Sequence, residues 1–219
     1  MALVKVGLRR AQRLPAVGRI LVAAADRLFV RQFVPDVRQL HDLLATTELA
    51  DRYWVWGGLL LGWAREGHVL AHDRDADFGV LDEDVSLLLD AVPVLAKAGF
   101  KPYRRYWNSE GRLTELTFRR HRCLFEFFLL DRVDDMLRYY VYGWPPDNLV
   151  EVEARIPSQE LVPFDFLGRT WLRPADYERE LEAHYGDWRT PRREWSYLED
   201  DNAVVSRRPW VYRDTSWSL

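Results

Sequence analysis

A chain of 219 residues, 48% hydrophobic and 30% charged, has ordinary globular composition and can bury roughly 70% of its unfolded surface, which argues against a disordered chain or a membrane bundle. The formal net charge of −3 supplies no basic field for a polyanion, so no nucleic-acid partner is expected. One cysteine, Cys123, excludes an internal disulfide and a cysteine-rich zinc site, and the simplest compartment is a reducing cytoplasm.

Residues 1–34 are basic and apolar: Lys5, Arg9, Arg10, Arg13, Arg19, Arg27 and Arg31 stand against a single acid, Asp26. Arg19 and Asp26 leave only "ILVAAA" uninterrupted, far short of the ~20 residues that span a bilayer. A signal peptide is disfavoured, because Arg19 breaks its apolar core. Two readings stay open. Residues 1–33 form either an amphipathic helix lying peripherally on the anionic inner face of a membrane, or a helix packed on its own domain with solvated arginines. The expected division is a helical segment, 1–34, and one domain, 35–219.

Pro35 and Asp36 read as a helix start, with Val37, Leu40, Leu43 and Leu44 at helical spacing. "YWVW" is a short buried strand stopped by Gly57 and Gly58, and Leu59 to Glu66 predicts a helix directly after them. "HVLAHDRDADFGVL" is extended, and Asp82 to Asp84 cap a helix whose Val85, Leu88, Leu89, Val92 and Leu95 share a face up to Gly99. Pro93 predicts a kink in it. "FKPYRRYW", "LTELTFRR", "RCLFEFFLL" and "RYYVYGW" read as strands, with Asp131 as a turn residue. "ELVPFDFLGRTWLRP" predicts a hairpin turning near Gly168, and Pro174 to Tyr185 a helix closed by Gly186. The tail from Asp187 shows little periodicity, and its "RRPWVYRDTSW" is either a stacking surface for a base or sugar or a terminal segment docked by its aromatics. The fold class is α+β, with a mixed, partly antiparallel sheet flanked by helices.

In a strand, residues two apart share a face, so "DRDAD" places Asp73, Asp75 and Asp77 together. Carboxylates so placed repel unless a cation lies among them, and hard oxygen ligands select Mg²⁺ or Mn²⁺. The bland alternative is an edge strand whose acids face water. Gly57 and Gly58, between strand and helix, let backbone approach a phosphate at a helix N-terminus. Glu126 in "CLFEFFLLD" sits among apolar residues, so it is paired, protonated or aimed at the metal cleft. His41, His68, His121 and His184 lack metal-ligand spacing and read as surface or packing residues.

The strand, "GGLLLGWAREGHVLAHDRDADFGV", the helix and the later "FEFFLLD" resemble the LicD family and the fukutin and fukutin-related proteins, members of the nucleotidyltransferase-fold superfamily. "RTWLRPADYERELEAHYGDWRTP" is similar to that family's C-terminal segment, and the resemblance covers roughly residues 36–195. It implies a nucleotidyltransferase fold for 35–219 and metal-dependent transfer of a phosphoalcohol, such as phosphocholine or ribitol phosphate. The implied donor is a CDP-linked alcohol, the acceptor a glycan or glycolipid hydroxyl, and the product CMP. Carried onto this sequence, Asp75 and Asp77 match the metal-binding acids, and Glu126 takes the third-carboxylate position as ligand or base. Gly57 and Gly58 match the phosphate-side turn, Arg65 matches an arginine after the glycine helix, and Asp73 is a second candidate base. Arg74 stands where bacterial relatives often carry another acid. The alternatives are transfer of NMP from an NTP with pyrophosphate release, and a non-catalytic, membrane-associated glycan-binding scaffold.

Overall fold

The computed structural model describes residues 16–143, 149–192 and 195–217. Helix α1 (Ala16–Leu44) runs through Pro35, so the predicted helix start at Pro35 is corrected: the residues on either side of 34 share one helix, and residues 1–15 lie outside those described. Phe33, Val37, Leu40 and Leu44 are buried on its inner stripe while Pro35 is exposed. Burying each such side chain contributes about 1.5–3 kcal/mol, which together outweighs the roughly 3 kcal/mol cost of an internal proline.

The chain continues through β1 (Tyr53–Val55), α2 (Gly57–Glu66), β2 (Asp75–Leu81), a 3₁₀ turn (Asp82–Asp84), α3 (Val85–Lys97), β3 (Lys101–Trp107), β4 (Leu113–Arg120) and β5 (Cys123–Val133). It then forms β6 (Met136–Tyr142), β7 (Val150–Pro157), β8 (Leu161–Phe166), β9 (Arg169–Pro174), α4 (Tyr177–Tyr185) and β10 (Val204–Pro209). The main sheet is ordered β1-β2-β5-β6-β7-β10, with β4 on β5 and β3 on β4, and β8–β9 form a separate hairpin. Among the described residues, only β2 and β5 pair in parallel; the other ladders are antiparallel. This is the expected α+β architecture with a mostly antiparallel sheet.

One core packs α1, α2 and α3 against β1, β2, β4 and β5 through residues such as Phe33, Val37, Leu60, Phe78, Leu95 and Phe127. A second lies around Trp54, Leu130, Val152 and Ile156. Strands β7 and β10 were not foreseen. In β7, Val152, Ala154 and Ile156 carry the apolar alternation, but Glu151, also buried, interrupts its polar side. Asp131 is no turn residue: β5 continues to Val133, and Arg112 (2.7 Å) and Arg138 (2.6 Å) pair with Asp131. The tail docks by its aromatics, Trp210 on Tyr142 (4.4 Å between centroids) and Trp217 on Phe118 (5.4 Å). Among the described residues, no helix is long and apolar enough to cross a membrane.

Candidate active site

β2 sends Ala76, Phe78 and Val80 into the core, which leaves Asp75 and Asp77 on its opposite face. The parallel register sets Asp77 opposite Glu126 of β5, and Asp75 opposite Leu124. On β5 the same alternation buries Phe125, Phe127 and Leu129 and turns Glu126 to the face of the two aspartates. β4 then brings Thr117 opposite Glu126, and β3 brings Arg104 opposite Thr117. Asp73 precedes β2 rather than lying in it, because a turn at Ala71 and His72 intervenes. It still reaches the same place.

These groups line one cavity of about 320 Å³, which contains Asp73, Asp75, Asp77, Glu126, Gly57, Gly58 and Arg65. Every candidate site residue read from the sequence is therefore brought together. Trp56, Phe128, Tyr139, Tyr185 and Tyr197 contribute an aromatic wall. The cavity also holds an acid that sequence reasoning missed, Glu115 of β4, 7% exposed and hydrogen-bonded by the Thr117 hydroxyl at 2.9 Å. Its signal was weaker than that of Glu126: it is the one acid of β4, but Thr114 and Thr117 rather than phenylalanines surround it.

The glycine pair makes room for carboxylates. A Cβ on Gly57 would lie 2.5 Å from Asp77 Oδ2, and one on Gly58 would lie 2.2 Å from Asp73 Oδ2. Gly57 also takes φ +52°, which disfavours a side chain. The Gly58 N–H, at the positive end of α2, donates to Asp77 Oδ2 at 2.9 Å. That donor, expected to meet a phosphate, is committed to an acid here. Arg65, in the last turn of α2, pairs with Glu66 at 3.3 Å and keeps a buried Nε without a hydrogen-bond partner.

Protein displaces most of the water around the carboxylates, although the cavity leaves Asp73, Asp77 and Glu126 partly exposed. Burial, then the charge of Asp75, raises Asp73 well above the ordinary carboxylate range. Asp77 is raised by burial and Asp75, against the opposing pull of the Gly58 N–H. Burial raises Glu126, reinforced by Glu115, Asp75 and Asp77. Glu115 is pushed up to about 7 by burial, against the pull of the Thr117 hydroxyl and Arg104. Like charges crowded in a half-dry cleft are the environment that a divalent cation would relieve.

The donor set is all oxygen and suits Mg²⁺ or Mn²⁺. Among the described residues, no three His, Cys, Asp or Glu side chains are already arranged to hold an ion. Mg²⁺ commonly takes one or two carboxylates and completes its shell with water and substrate phosphate, so the residues present fit it on their chemistry. His41 and His121 lie outside the cavity, where His41 bonds Tyr53 Oη at 2.7 Å and His121 bonds Asp36 at 2.9 Å, whereas His72 lines it beside Asp73. His184 is buried on the cavity wall, between Tyr139 Oη (3.1 Å) and Asp201 (3.3 Å).

A model of the family described as LicD/FKTN/FKRP, nucleotidyltransferase domain, matches residues 50–176. Ribitol-5-phosphate transferase FKTN of Homo sapiens is 23% identical over 200 residues, covering 84% of this chain and 42% of that protein. Ribitol 5-phosphate transferase FKRP of Homo sapiens is 30% identical over 149 residues, covering 62% of this chain and 28% of that protein. The chain thus spans less than half the length of these relatives. A solved structure of the lincosamide antibiotic adenylyltransferase LnuA, lincomycin-bound, aligns with a TM-score of 0.37 at 12% identity over 59% of this chain and 73% of that one, too low to carry an argument. The matched segment encloses Asp73, Asp75, Asp77, Glu115, Glu126 and both glycines of the cavity, and the chain belongs to the LicD/FKTN/FKRP family.

Proposed function

We propose that the protein transfers a phosphoalcohol, such as ribitol phosphate or phosphocholine, from a CDP-linked donor to a hydroxyl of a glycan or glycolipid and releases CMP. The observation that carries this reading is the convergence of Asp73, Asp75, Asp77 and Glu126 with the Gly57–Gly58 turn in one cavity. The names of the two human relatives, both ribitol phosphate transferases, support the class of group transferred. A nucleotidyltransferase fold for residues 35–219 belongs to the same reading, supported by the description of the matched family.

Mg²⁺ or Mn²⁺ held by Asp75, Asp77 and Glu126 would neutralise charge on the donor's phosphates. The Gly58 N–H fixes the Asp77 carboxylate, so this acid does not have to reorganise when the donor binds. Arg65 offers a planar guanidinium whose Nε is unpartnered, a geometry suited to a phosphate oxygen. In the reaction the acceptor oxygen bonds to phosphorus as the bond to CMP breaks. The hydroxyl proton passes to a carboxylate oxygen of Asp73 or Glu126, both of which line the cavity. The aromatic wall from Trp56 to Tyr197 limits water, the competing acceptor.

A purely binding role gives no reason to crowd five acids in one cleft at the expense of stability. The discriminating experiment offers purified protein CDP-ribitol, CDP-choline, CDP-glycerol and the four NTPs with Mg²⁺ or Mn²⁺. CMP release from a CDP-alcohol is expected and names the donor. Pyrophosphate release would replace this reading with nucleotidyl transfer.

A further inference from the structure

Three aspartates of α1 each hold a cation from a different part of the domain. Asp36 grips Arg120 (3.0 Å) and His121 (2.9 Å), at the β4–β5 hairpin. Asp42 grips Arg169 (2.6 Å) at the start of β9. Asp26 grips Arg74 (Oδ1 to Nη2, 2.6 Å), and the Arg74 guanidinium also lies 3.8 Å from the centre of the Phe29 ring.

Arg74 stands between Asp73 and Asp75, immediately before β2. Its backbone carbonyl accepts the Leu124 N–H at 3.2 Å, two residues before Glu126. The hairpin gripped by Asp36 leads directly into β5, the strand that carries Glu126. One helix therefore holds the beginnings of both parallel strands that bear the site acids, at points ten residues or about 15 Å apart along its axis. Phe29 stacks on Phe33 (5.0 Å between centroids), and Phe33 packs on Phe125 of β5 (6.2 Å), which fixes this part of α1 on the core.

We infer that Asp26 is a positioning residue for the active site: through Arg74 it sets Asp73 and Asp75 relative to Glu126, which makes the N-terminal helix a working part of the catalytic centre. The inference rests on the transferase reading only for its consequence on turnover. The contact is more than a solvated surface pair, since both side chains are largely covered (29% and 23% exposed) and the guanidinium has a second, aromatic partner. Without Asp26, Arg74 is a cation beside two carboxylates, and pairing with either would compete with a bound metal.

Hydrogen exchange read by mass spectrometry on the full chain tests this without substrate. Asp26→Asn should speed amide exchange across residues 72–76 about 5- to 10-fold, the scale of losing one ordinary hydrogen bond in a partly covered site. Exchange in α3 and in β6–β7 should be unchanged, Arg74→Ala should reproduce the local effect, and Asp26→Glu should reverse it. CMP release should fall in Asp26→Asn and recover in Asp26→Glu. Unchanged exchange at 72–76 in both Asp26→Asn and Arg74→Ala would overturn the inference, as would a rise spread evenly over the domain, which marks a merely structural contact. If the wild type releases no CMP from any donor, the transferase reading fails while the exchange result still decides the positioning role.

Discussion

Glu115 and Glu180 are two buried glutamates held near neutrality by the same cause, loss of water, in different places. Glu180 in α4 is 2% exposed, and burial pushes it up to about 7, against the pull of His184. Its folded value lies above its unfolded one, so between about pH 4.5 and 7 the folded state keeps a proton that the unfolded chain has lost. Stability from this group is complete below that window and declines as pH rises through it. Glu180→Gln should flatten the decline and leave the variant more stable than wild type above about pH 7, by up to roughly 3 kcal/mol. Urea unfolding across that range measures it, and parallel curves for the two proteins would refute it. At this scale, Asp75, Asp77 and Glu126 were legible because period-two alternation exposes a like-charge pair and a lone acid among phenylalanines. Glu115 escaped because Thr114 and Thr117 blur the alternation around it. Asp73 was placed on the wrong element because the turn at Ala71 and His72 carries no glycine or proline.

The glycine turn between β1 and α2 shows how an element sets site geometry. Gly58→Ala puts a methyl group 2.2 Å from an Asp73 oxygen, so the carboxylate or the turn has to move. CMP release is expected to fall at least about 10-fold, with roughly 1–3 kcal/mol lost from stability. Gly67, which closes α2 at φ +65° with nothing within 4 Å of an added Cβ, is the control. Gly67→Ala should cost about 1–2 kcal/mol from backbone strain alone and leave turnover near normal. Equal turnover in the two variants would count against a site at the turn. The remaining elements differed in legibility for physical reasons. Helices α3 and α4 and the β8–β9 hairpin announced themselves by periodicity and turn glycines. The run of α1 through Pro35 did not, because tertiary burial of Phe33 and Val37 overrides the local cost. β10 was hidden because it is an edge strand, with Val205, Ser206 and Arg207 exposed and little apolar alternation to find.

For the molecule as a whole, α1 reaches the strands that carry the acid-lined cavity, and its outward side exposes Arg27, Leu28 and Arg31. Peripheral contact with an anionic membrane through residues 1–33 remains a proposal. It predicts that deleting residues 1–24 weakens co-sedimentation with anionic vesicles but preserves CMP release, since Asp26, Phe29 and Phe33 are retained. Undiminished sedimentation would remove the membrane claim. The central claim is that the crowded acids are the catalytic centre. The most direct test compares CMP release from CDP-ribitol, CDP-choline and CDP-glycerol by wild type and Asp77→Asn, with matched thermal unfolding curves. Release by wild type from at least one donor is expected, with a fall of about 100-fold or more in the variant and no loss of stability. A variant that is folded and equally active would contradict it.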